Sequence, residues 1–69
     1  MGSLELAADD IARALALRPD DPVLLLERGN ISRLAGDDGG ARNDWLRVVM
    51  DSPGTRSAQI NLERLDINI

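Results

Sequence analysis

PDDPVLLLERGNISRLAGDDGGARNDWLRVVMDSP, residues 19–53, is the stretch on which the reading of this chain turns. Its order of breakers and apolar residues describes two short helices joined by a tight turn. Asp21 can cap a helix whose first position is held by Pro22, where the missing N–H costs nothing. That helix is expected to run to about Ala35, with Leu24, Leu25, Ile31, Leu34 and Ala35 on its inner face. Gly29 falls in its middle. A glycine there costs about 1 kcal/mol relative to alanine, which implies that another helix approaches the backbone closely at that point. Gly36 supplies the stop, and Asp37 or Asp38 caps the next helix. This third helix carries Ala41, Trp45, Val48 and Val49 to about Asp51, before Pro53-Gly54 breaks it.

Outward from this pair the pattern continues. Leu4, Ala7, Ala8, Ile11, Ala14 and Leu15 recur at three- and four-residue steps, with Asp9, Asp10 and Arg13 on the opposite side, so a first helix spans Leu4 to Leu17. Ser3 is its expected N-cap, and Pro19 ends the segment because the residue before a proline is pushed out of the helical region. Beyond Pro53-Gly54, Thr55 or Ser57 caps a fourth helix with Ala58, Leu62 and Leu65 on its apolar side, and the chain is expected to fray at Asn68-Ile69. Met1-Gly2-Ser3 before Leu4-Glu5 reads as residues left by a cloning vector (1–3), followed by a single domain over 4–69.

An internal period links the pieces. Pro53 follows Pro19 by 34 residues, and the same offset pairs Gly2 with Gly36, Ala7 with Ala41, Asp10 with Asp44 and Arg13 with Arg47. Ile11 with Trp45, Ala14 with Val48 and Leu26 with Ile60 are conservative pairs on the same offset. A period of this length marks a stacked helical array. The residues that carry it resemble the tetratricopeptide repeat, which places small, large and small residues on its second helix and a proline after it. Ala41, Trp45, Val48 and Pro53 match that run, as do Ala7, Ile11, Ala14 and Pro19, while Gly29-Asn30 and Gly36-Asp37 match the first helix and the turn.

The resemblance implies an all-α, antiparallel helix–turn–helix array of four helices, a fragment of an α-solenoid from the C-terminal part of a repeat protein, and the lack of lysine beside abundant Ala, Gly, Asp and Arg suggests a GC-rich bacterial genome. In that register residues 4–18 are the second helix of one repeat, 22–55 a full repeat and 56–67 a capping helix. Three positions depart from the pattern: Leu25 replaces its tryptophan, Arg28 its leucine and Ser32 its tyrosine. Arg28 is therefore expected to snorkel out of the helix seam or to face a partner. By the same resemblance, first helices line a concave groove that receives a peptide or protein segment, and Leu26, Asn30, Arg33, Ile60 and Arg64 are the residues that would face it. Asparagine and arginines there could hold a ligand's backbone and carboxylates.

Composition removes several other classes. The chain has 69 residues, a net charge of −4, eight arginines and no lysine, histidine, cysteine or tyrosine. Zinc ligand sets cannot be assembled, and the nucleophiles and bases of enzymes reduce to serine and carboxylates, so no catalysis and no cofactor are expected. Asp9-Asp10 and Asp20-Asp21 are sequence neighbours that point apart on a helix. Asp37-Asp38-Gly39-Gly40 lacks the distal glutamate of a calcium loop and reads as a capped turn. The arginines are scattered among acids, Trp45 is the sole aromatic, and the helix after the Gly36 turn sets Asp44 and Asp51 against Arg42 and Arg47, so nucleic-acid binding is not expected. No apolar run exceeds four residues, as in Val23 to Leu26, which is too short to enter a membrane as a span. Without a targeting signal, a cytoplasmic location is expected over a periplasmic one.

The function expected is therefore protein–protein interaction on a helical scaffold. The alternative is a self-assembling structural or regulatory domain without a separate peptide ligand, and a third is an acidic helical regulator of transcription. Trp45 is expected to be the central core residue. Leu6 and Leu17 should lie on an uncovered side of the first helix, which makes homo-oligomers the expectation for the isolated chain.

Overall fold

Turn chemistry fixes the boundaries of four helices in the computed structural model, which describes residues 2–67. They are α1 (Gly2–Leu17), α2 (Pro22–Leu34), α3 (Asp38–Asp51) and α4 (Arg56–Ile67), with no strand among the described residues. Asp21 has extended backbone angles, and its Oδ1 accepts the Val23 N–H at 2.9 Å and the Leu24 N–H at 3.4 Å, with Pro22 in the first helical position. At the other end of α2, Gly36 takes φ +87°, the Gly36 N–H donates to the Arg33 carbonyl and the Asp37 N–H to the Ser32 carbonyl. This pair of bonds is the Schellman closure, and it satisfies carbonyls that the last helical turn would leave open. Asp37 then caps α3 by accepting the Gly40 N–H at 2.9 Å. Gln59 reaches back from α4 to the Pro53 carbonyl at 2.7 Å and fastens the last turn.

Each helix packs chiefly on its neighbours in sequence, with the most extensive contact between α2 and α3. Short connections force consecutive helices to run antiparallel, so the result is an array of helical hairpins. The core is small: Leu15 from α1, Leu25 from α2, Ala41, Trp45 and Val48 from α3, and Ala58 and Leu65 from α4. Ile11, Leu24, Leu26, Val49 and Leu62 pack around it, half-buried. Trp45 is 0% exposed, and its indole N–H donates to the Leu26 carbonyl at 3.3 Å, so the one polar atom of the ring is satisfied inside the core. Gly29 is the reason it fits. A Cβ at this position would stand 2.2 Å from Trp45 Nε1 and 2.7 Å from two ring carbons.

Several details differ from the sequence reading. Helix α1 already includes Gly2 and Ser3, so Ser3 is a helical residue instead of an N-cap, and Ser57 likewise lies inside α4. Leu34 is 76% exposed and Ala35 is exposed, although both were assigned to the inner face of α2. Helical rotation explains this: Leu34 is nine residues from Leu25, about half a turn away around the axis, so burying one turns the other to water. The buried seam of α2 is Leu25 and Gly29. Arg28 neither snorkels free nor waits for a partner, since it is paired with Asp44. The fraying expected at Asn68-Ile69 lies outside the described residues, as does Met1.

Candidate functional site

Three of the five candidate groove residues share one flank of α2. At 100° per residue Leu26, Asn30 and Arg33 fall within an arc of about 60°, beside the seam of Leu25 and Gly29. Asn30 is exposed and Arg33 half-buried. Leu26 is drawn inward: it packs against the core, and its carbonyl is taken by Trp45. The other two, Ile60 and Arg64, are one turn apart on α4. Ile60 is 39% exposed and Arg64 exposed, on the side away from Ala58 and Leu65. Helices α2 and α4 both lean on α3 and touch one another little.

Electrostatics separates two groups of arginines. Arg28 is committed: its Nε donates to Asp44 Oδ2 at 2.8 Å and its Nη2 to Asp44 Oδ1 at 2.7 Å, a two-pronged pair between α2 and α3. The hydrogen bond to Asp44 holds the Arg28 guanidinium above its ordinary pKa, partial burial works in the opposite direction, and Coulomb attraction to Asp44 adds to the rise. Arg47 of α3 pairs with Asp20 and so ties the α1–α2 turn to α3. By contrast, Arg33 and Arg64 make no ion pair or side-chain hydrogen bond among the described residues, and neither does Asn30. Their donors are available to a ligand.

Sequence reasoning missed a second surface. Ala14, Leu17 and Arg18 from the end of α1, with Asp21, Val23 and Leu24 from the start of α2, line an open groove of about 500 Å³. Leu17 is 85% and Val23 59% exposed beside it. The exposed position of Leu17 was readable from the apolar period of α1. The groove was not, because it depends on how far the two helix ends stand apart. Among the described residues no cluster of His, Cys, Asp and Glu could hold a metal ion, and no helix is long and apolar enough to cross a membrane. Compared with protein-family models, curated proteins and solved structures, the chain gives no match.

Proposed function

We propose that the chain is a protein-interaction scaffold of the tetratricopeptide kind, taking an extended peptide or protein segment across the face that Leu26, Asn30 and Arg33 of α2 share with Ile60 and Arg64 of α4. The observation that carries this reading is the set of unengaged donors on that face, Asn30, Arg33 and Arg64, while Arg28 of α2 and Arg47 of α3 are already paired. In a chain of net charge −4, unpaired guanidiniums make local positive potential, and they suit a carboxylate, from an acidic side chain or a C-terminus, better than any apolar ligand.

The 34-residue offset supports the scaffold. Ala7, Ile11 and Ala14 of α1 turn toward the body of the protein at the positions where Ala41, Trp45 and Val48 of α3 are fully buried. One inward pattern thus serves two helices, as repetition requires. The close approach at Gly29, with the large residue of the following helix seated over it, is the contact such a repeat uses to stack its two helices.

The test is direct binding of labelled peptides, acidic ones and ones ending in a free carboxylate, to the parent and to the double variant Arg33→Ala, Arg64→Ala. Both side chains lie outside the core, so the variant should keep its helicity and lose about tenfold or more in affinity. If a peptide binds both proteins equally well, the face is wrong. If amidated, acid-free peptides bind as tightly as acidic ones, the chemistry is wrong.

A further inference from the structure

Helix α1 carries a second pattern, on the side away from the core. Leu6, Asp10, Arg13 and Leu17 are all exposed, Leu6 at 65% and Leu17 at 85%. Their spacing of four, three and four residues brings them onto one stripe, because eleven residues make just over three full turns. The stripe reads the same from both ends except that its two charges are opposite in sign. A second α1 laid antiparallel across it therefore meets leucine with leucine and acid with base.

From this we infer that two copies of the chain associate through α1, antiparallel about a two-fold axis that passes between Asp10 and Arg13. In that arrangement Asp10 of each copy faces Arg13 of the other, and Leu6 of each lies against the Leu17 end of the other. That end is where the groove lined by Ala14, Leu17, Val23 and Leu24 opens, with room for a leucine side chain. Both ends of the stripe thus find an apolar seat, and Asp10 and Arg13 have no ion-pair partner within their own chain among the described residues.

Surface area points the same way. The chain exposes 4783 Å², whereas a monomer of its 7.5 kDa mass is expected to expose about 4,250 Å². The molecule is flat, with extents of 29 × 27 × 15 Å. The dimer interface is centred on α1 and meets the stripe of α2 proposed for peptides only at Val23, at the end of that helix far from Asn30 and Arg33, so neither inference depends on the other.

Charge exchange tests the geometry. Sedimentation equilibrium of the parent should show a monomer–dimer equilibrium. Asp10→Arg places two arginines opposite two more across the axis, and Arg13→Asp does the same with acids. Each single variant should associate about tenfold or more weakly, with circular dichroism unchanged because both residues are exposed. The double variant Asp10→Arg, Arg13→Asp restores alternation and should dimerise like the parent, and an equimolar mixture of the two single variants should form heterodimers. Leu6→Asp should abolish association in every background. A parent that stays monomeric at several hundred micromolar overturns the proposal, and so does a double variant no better than the single ones.

Discussion

Removing Arg28 should cost far more than its position near the surface suggests, and the cost should vanish when Asp44 is removed with it. The Asp44 side chain is 9% exposed, while that of Arg28 is 43% exposed, and two short hydrogen bonds join them. In Arg28→Leu the carboxylate keeps its charge and loses both donors. Breaking a fully buried pair from one side costs about 3–5 kcal/mol, and water entering where the half-exposed guanidinium stood reduces this to about 2–3 kcal/mol. A domain of this length has a total stability of about 3–10 kcal/mol, so Arg28→Leu should lower the melting temperature by about 10–20 °C. The opposite truncation, Asp44→Leu, leaves an arginine that can turn into solvent, and should cost only about 1 kcal/mol. Arg28→Leu with Asp44→Leu replaces the pair by apolar packing in the seam and should fall within about 1 kcal/mol of the parent. Urea denaturation followed by circular dichroism gives all four stabilities. Equal costs for the two single variants, or a double variant as unstable as Arg28→Leu, would refute the reasoning.

Gly29→Ala gains about 1 kcal/mol in helix propensity but drives a methyl to 2.2 Å from the indole nitrogen of a ring that has no room to move; a net loss of about 2 kcal/mol or more is expected, and a thermal melt at or above the parent's would contradict it. Trp45→Ala should remove about 3–5 kcal/mol and leave the chain largely unfolded, and in the parent the indole should fluoresce as a buried ring, shifting red only in denaturant. Stability should be flat from neutral pH to about 11 apart from the terminal amine, since the chain lacks histidine, cysteine, tyrosine and lysine. Arg28, with its folded-state pKa raised, contributes fully below the ordinary arginine value, and that contribution is lost only as pH rises through the raised one; a denaturation midpoint that drifts within this window would count against it.

The helices, their ends and the central tryptophan were legible in the residues themselves. Asp21-Pro22, Gly36-Asp37 and Pro53-Gly54 act through local backbone chemistry, which works on a few residues at a time and needs no tertiary context. Gly29 announced a close helix approach because its propensity cost had to be met by something. Side-chain direction was less secure. Leu34 was assigned inward on apolarity alone, whereas the rotation of α2 is set by its strongest anchors, Leu25 and the Gly29–Trp45 contact, which turn Leu34 to water. Arg28 and Asp44 are sixteen residues apart and carry no local sign of one another; only the stacking of α2 on α3 brings the guanidinium to the carboxylate. The same holds for the surfaces. Sequence could name Leu26, Asn30, Arg33, Ile60 and Arg64, but the packing of Leu26 against the core, the availability of Arg33 and Arg64 and the groove between the ends of α1 and α2 follow from how helices are placed side by side. Local dihedral preferences set where each helix starts and stops; which of its faces meets water depends on long-range packing, and packing belongs to the whole chain.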